Sequence, residues 1–260
     1  MTYCLGMMLD AGLIIIADTR TNAGVDDIST YRKLHCLADA KDRCIYAASA
    51  GNLSTTQTII SLLREGVPAG GAEGATIKEG EEALLRTISE PTSMFRAAQL
   101  VGEAVQIANA TVGKALASIK ISGASSMLLG GRIGNAPPSL FLVYPSGNFI
   151  ECKPDVPFFQ IGEHKYGRPI LDRTIAPDTS LPEAMKVAFL SFDASIRSNL
   201  AVARPLDLMV MPAKPGSKVL IKRIDDDDAY FDDLSARWGD LLHDAMTAIP
   251  DPPFMADMAR

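Results

Sequence analysis

The spacing of apolar and polar residues changes several times along the chain, and each change marks a new element. Tyr3–Leu9 is almost wholly apolar, and Leu13–Asp18 is an Ile-rich run that stops at an acid. Separated by Asp10-Ala11-Gly12, with its turn glycine, they predict a β-hairpin of buried strands beginning at the N-terminus. Lys33–Ala38 and Arg43–Ala50 predict a second pair, turning at residues 39–42. From Leu53 to Arg64 the spacing becomes helical, with Leu53, Thr56, Ile60 and Leu63 on one face. Gly66–Gly80 is rich in Gly and Ala with mixed charge and predicts a surface loop or insertion. A short helix is expected at Ala83–Ile88 and a long amphipathic one at Ser93–Ile119.

Strands are expected next at Ser125–Gly131, Ser139–Tyr144, Phe149–Cys152 and Phe158–Ile161. Pro145-Ser146-Gly147-Asn148 is a turn between the second and third of these. Helices follow at Tyr166–Arg173 and Leu181–Arg197, with Pro182 suited to the start of the second. Strands at Leu206–Met211 and Lys218–Ile224 precede a C-terminal helix, Tyr230–Thr247. The acidic run Asp225–Asp228 stands before that helix, where negative charge complements the helix dipole. It lacks the spaced ligands and central Gly of a calcium loop.

Antiparallel strand blocks alternating with helix pairs predict the α+β class. Two sheets packed face to face with helices outside would use all these elements in one domain, residues 1–260. The loop at about 66–80 would be an insertion and the segment at about 225–260 a C-terminal helical extension. No Gly/Pro-rich linker divides the chain and no internal repeat stands out.

Composition narrows the functional classes. Apolar residues make up 47% of the chain, enough for a sizeable core, and charged residues 22%, which argues against disorder. The net charge of −6 repels phosphate backbones, so no nucleic-acid partner is expected. The four cysteines form no CxxC pair and the three histidines are scattered, so no metal site is expected. Sparse cysteines fit a reducing, cytoplasmic location. The first residues have no basic flank and Asp10 interrupts them, unlike a secretory signal. Apolar runs such as Ala11–Ala17 are too short to span a membrane.

The candidate chemistry lies at the N-terminus. Removal of Met1 would leave Thr2 with a free α-amine beside its own hydroxyl. An α-amine has an ordinary pKa of about 7.7–8.0, so it can act as the base for that hydroxyl near neutrality. A nearby lysine would favour the neutral amine, and a carboxylate would hold the lysine in place. The hairpin brings Thr2 and Asp18 to the same end of adjacent strands. The strand that begins at Lys33 can return a cation to that end. Gly51, at a strand–helix junction, offers a backbone N–H as an oxyanion donor.

These residues resemble a proteasome-type β subunit, an N-terminal-nucleophile hydrolase. The resemblance rests on Thr2, Ala17-Asp18-Thr19-Arg20-Thr21-Asn22-Ala23-Gly24, Arg32-Lys33-Leu34 and Ala48-Ser49-Ala50-Gly51. Leu128-Leu129-Gly130-Gly131, Tyr144-Pro145-Ser146-Gly147 and Phe159-Gln160-Ile161-Gly162 follow in family order. Phe192-Asp193-Ala194-Ser195-Ile196-Arg197-Ser198-Asn199 resembles the helix-end loop of the bacterial HslV peptidase. The match covers roughly residues 2–225. The Tyr-Arg-Lys run and Ile161-Gly162-Glu163-His164-Lys165-Tyr166-Gly167 are most similar to the bacterial ancestral β-subunit group, Anbu.

The resemblance implies a four-layer αββα sandwich. It implies that Thr2 is nucleophile and base, Lys33 tunes it, Asp18 anchors Lys33, Gly51 donates to the oxyanion, and Asp193 and Ser198 order the site from behind. Thr21 and Asn22 would pair with an extended substrate. Ser49 and Leu53 would line a pocket for medium-sized apolar or polar side chains. Glu163 stands where most relatives place a serine near the nucleophile, and would modulate the site. His164 is expected at the surface. No cofactor is implied, and the HslV likeness admits a structural cation near Phe192–Ser198.

Three functions follow as expectations. The first is a threonine peptidase acting on peptides or unfolded chains and assembling with itself, as a closed ring or an open helix. Any unfoldase partner is left unidentified by the sequence. The second is a small-molecule amidase of the same superfamily. The third is a catalytically silent assembly protein, which retention of Met1 would favour because Thr2 would then have no free amine.

Overall fold

The computed structural model describes residues 2–22, 28–69 and 84–255. Met1, and with it the expected processing step, lies outside the described residues, as do Ala23–Gly24 and most of the expected insertion. The chain divides into two compact units, 1–225 and 226–260.

The first unit is built on two five-stranded sheets. One has the order β12-β1-β2-β13-β14, formed by Phe158–Gly162, Tyr3–Leu9, Gly12–Asp18, Leu206–Pro212 and Leu220–Ile224. The other has the order β11-β10-β9-β6-β5, formed by Phe149–Glu151, Ser139–Val143, Ser125–Ile133, Arg43–Gly51 and Leu34–Ala40. All ladders are antiparallel. Two short hairpins complete the strands: β3 Arg20–Asn22 with β4 Ile28–Thr30, and β7 Val67–Pro68 with β8 Leu85–Arg86.

Residue alternation along the strands explains the layers. Leu13, Ile15 and Ala17 of β2 meet Tyr46, Ala48 and Ala50 of β6 in the seam between the sheets. Ile45 and Ala47 of β6 face the other way, onto helices α1 (Leu53–Glu65) and α2 (Met94–Ala108) through Ile59, Leu63, Val101 and Val105. Every residue of β2 is buried, which is why it reads as a continuous apolar run rather than an alternating one. Each fully buried Ile or Leu there stabilises the fold by about 1.5–3 kcal/mol. On the far side of the first sheet lie helices α4 (Arg168–Thr174) and α5 (Leu181–Ser198), with Phe192 stacked on Tyr3 at 4.3 Å between ring centroids. The result is the α+β sandwich expected from the strand and helix blocks.

Helix ends follow the local sequence. Asn52, Ser93 and Ser180 cap α1, α2 and α5 by accepting from the N–H groups of Thr55, Arg96 and Glu183. In the second unit, Asp228 caps helix α6 (Ala229–Ala248) by accepting from Phe231 N at 2.9 Å. The last carboxylate of the acidic run thus serves as a helix cap.

Three expectations are corrected. The helix expected at Ala83–Ile88 is instead strand β8 at Leu85–Arg86, and Ala83 lies outside the described residues. Backbone bonds to a remote segment, Ala69 N to Leu84 O and Ile88 N to Leu63 O, satisfy that stretch, and a window of six residues carries no sign of such a partner. By the same pairing, Val67–Pro68 at the start of the expected loop is strand. The long helix over Ser93–Ile119 is interrupted: residues Asn109–Gly113 wind as a π-turn before helix α3, Lys114–Ser118. There Thr111 Oγ1 donates back to the carbonyls of Ile107 and Ala108, and the Asn109 amide donates to Pro145 O. Among the described residues, no helix is long and apolar enough to cross a membrane.

Candidate active site

Thr2 stands at the entry to β1, half-buried. Its carbonyl accepts from Glu163 N at 2.6 Å, and the next pair in the ladder is Tyr3 with Gly162. Gly162 has φ +80°, and a Cβ there would lie 2.0 Å from Thr2 O. Only glycine lets the end of β12 approach Thr2 this closely.

Behind Thr2, the hairpin register Cys4 to Ala17 brings Asp18 alongside. Asp18 Oδ1 accepts from Tyr3 N at 2.9 Å and from Lys33 Nζ at 2.7 Å. Lys33, the residue before β5, also donates to the Arg20 carbonyl. Asp18 is fully buried and Lys33 is 6% exposed. Asp18 Oδ2 has no hydrogen-bond partner among the described residues. Burial pushes the Asp18 carboxyl above its ordinary value, opposed by the Lys33 charge, the Lys33 hydrogen bond and the Tyr3 N–H.

In front of Thr2 lies a cleft of about 250 Å³. It is lined by Thr2, Thr21, Lys33, Ser49, Gly51 and Leu53 of the expected site. Arg32, Ala50, Thr56 and Gly162 complete it. Gly51 ends β6 with φ +130°, and a Cβ there would meet Ala124 O at 2.2 Å. The strand-to-helix junction at the cleft therefore demands glycine.

Other expected residues lie outside the cleft lining. Glu163 is buried beside it: Oε1 accepts from Lys165 N at 2.9 Å and Oε2 from Asn199 Nδ2 at 2.8 Å. Burial raises its carboxyl, but these two bonds and the charges of Lys165 and His164 outweigh burial and hold it below its ordinary value. Asp193 is buried on α5, with both oxygens facing Arg197 Nε at 3.2 and 3.1 Å. Ser198 is exposed as the last residue of α5. Nearby, the Leu200 carbonyl accepts from Arg20 Nη1. The backbone of Asn22 belongs to β3, while its side chain is outside the described residues. His164 is exposed at the surface, as expected.

Sequence reasoning missed Tyr3. Its hydroxyl is 2.6 Å from Ser191 Oγ and accepts from Gln160 Nε2 at 2.7 Å, fully buried. This joins the strand that carries Thr2 to α5. Arg32 and Thr56 were missed as cleft residues. The available signals were a polar tip within an apolar run, a second cation beside Lys33, and a Thr on the inner face of α1.

Two five-stranded sheets between helices, with Thr2 at the head of a central strand against a buried Lys–Asp pair, define a proteasome-related N-terminal-nucleophile hydrolase fold. Solved structures of Anbu match over nearly the whole chain. An Anbu Gly-1 mutant from Hyphomicrobium sp. strain MC1 is 41% identical, with 97% of this chain and 99% of that one covered at a TM-score of 0.83. Anbu, the ancestral β subunit, from Yersinia bercovieri is 38% identical, with 96% and 99% covered at 0.80. A structure described as the helical assembly of the Anbu complex from Pseudomonas aeruginosa is 39% identical, with 96% and 98% covered at 0.83. No family profile and no curated protein matches the chain. The chain belongs to the Anbu family of ancestral proteasome-like β subunits.

Proposed function

We propose that the chain is a self-assembling threonine peptidase of the cytoplasm, with Thr2 as N-terminal nucleophile once Met1 is removed. One observation carries this reading: Thr2, Gly51 and Lys33 line one cleft, with Lys33 anchored on buried Asp18. The Thr2 α-amine takes the hydroxyl proton as Oγ attacks the substrate carbonyl, and the Gly51 N–H receives the oxyanion. The amine returns the proton to the leaving amine, leaving an acyl ester on Thr2 that water hydrolyses. Lys33 favours the neutral amine. Strand β3, paired within a two-stranded sheet and carrying Thr21 into the cleft, suits backbone pairing with an extended peptide. Asp193, Ser198 and Glu163 act from outside the cleft, on the elements that frame it. Self-assembly follows the Pseudomonas relative, whose structure is described as a helical assembly.

Intact-mass analysis after incubation with a peptide epoxyketone tests this directly. That warhead closes its ring only on a hydroxyl and a free α-amine of one residue. A chain lacking Met1 with one adduct on Thr2 is expected. A chain lacking Met1 that hydrolyses small amides but takes no adduct would replace the reading with an amidase, and retained Met1 would replace it with an assembly protein.

A further inference from the structure

We infer that Arg32 makes this cleft selective for substrates with a carboxylate side chain on the acyl side of the cleaved bond. The inference rests on the peptidase reading and names its substrate class. Among the described residues, Arg32 and Lys33 are the only ionisable side chains of the cleft lining, and no carboxylate is among them. The two cations differ in one respect. The Lys33 charge is met by Asp18 at 2.7 Å and by the Arg20 carbonyl. Arg32 is exposed, and among the described residues no carboxylate forms an ion pair with it. The chain as a whole carries −6, so a cation in its cleft with no carboxylate partner among the described residues stands against the general field.

The rest of the lining fits the same occupant. Ser49 and Thr21 bring hydroxyl side chains to the lining, the Thr56 hydroxyl being paired with Ser125 Oγ at 2.9 Å, and Leu53 supplies the main apolar wall. Helix α1, which brings Leu53 and Thr56, has no acidic residue in its first turn. A carboxylate entering this cleft meets hydroxyl donors and a planar guanidinium able to hold both oxygens. An amide of the same shape gains the hydroxyl contacts but not the charge. The pocket of medium apolar or polar preference expected from Ser49 and Leu53 alone therefore acquires a sign from Arg32.

The test is a set of peptide epoxyketones identical except for Glu, Gln, Leu or Lys at the residue next to the warhead, followed by the rate of adduct formation on Thr2. Wild type should react with the Glu compound about tenfold faster than with Gln at low ionic strength. That ratio should shrink as salt is added, because the site is open to solvent. Arg32→Gln should bring the ratio to about one. Arg32→Glu should favour the Lys compound. Equal Glu and Gln rates in wild type, or a ratio unchanged in Arg32→Gln, would overturn the selectivity while adducts on Thr2 keep the peptidase reading. No adduct with any of the four would overturn both.

Discussion

At the residue scale, the Asp18–Lys33 pair joins stability to chemistry. Both groups are buried, so removing one partner strands the other's charge. Lys33→Ala should cost about 3–5 kcal/mol in urea unfolding and abolish adduct formation on Thr2. The double variant Asp18→Asn, Lys33→Met should recover most of that stability without recovering reactivity. Recovery of both would remove Lys33 from the proposed chemistry. Thr2→Ala should abolish reactivity with little change in stability, since Thr2 is half-buried and its carbonyl bond is retained. Tyr3→Phe leaves the Ser191 and Gln160 groups without their shared partner, at about 1–3 kcal/mol. Of these residues, Thr2, Asp18, Lys33 and Gly51 were readable because their chemistry is uncommon in that order. Tyr3 was not, because its partners lie 157 and 188 residues away.

At the element scale, Glu163 ties the end of β12 to the end of α5 through Asn199. Its carboxyl is held below the ordinary value in the folded chain, so the ionised form favours folding. That contribution is full above the unfolded-state pKa, about 4.3, and is lost as pH falls through the lower folded value. Thermal unfolding of wild type and Glu163→Gln between pH 3 and 7 should show a gap favouring wild type at neutral pH that closes under acid. A gap that widens under acid would reverse the assignment. The core strands and the three capped helices of the first unit were legible because period and cap residues are local signals. The β7–β8 pair and the π-turn were not, because Val67 pairs with Arg86 and the Asn109 amide bonds the Pro145 carbonyl, partners that no local window contains.

At the scale of the whole molecule, the unit 1–225 contains both sheets and the cleft. A chain ending at Asp225 should keep cooperative unfolding and the near-ultraviolet circular dichroism of the full protein. Sedimentation velocity should show the full-length chain in species larger than its 27.8 kDa monomer. The truncated chain should sediment as smaller species, since α6 exposes Leu241, Leu242 and Met246 along its length. Unchanged sedimentation would place the assembly contacts within residues 1–225.

By itself, the sequence determined the alternation of strand and helix blocks, the two-sheet class and the four residues of the proposed chemistry. These are properties of period, of turn and cap residues, and of side chains whose reactivity depends on type. Only the tertiary structure decided which polar groups share the cleft. Arg32, adjacent to Lys33 in the chain, lines the cleft with no carboxylate partner among the described residues, whereas the Lys33 charge is met by Asp18. Asp193 and Ser198, expected to order the site from behind, lie on α5, outside the cleft lining. Charge compensation depends on distance through the fold, and neighbouring positions in the sequence do not encode it.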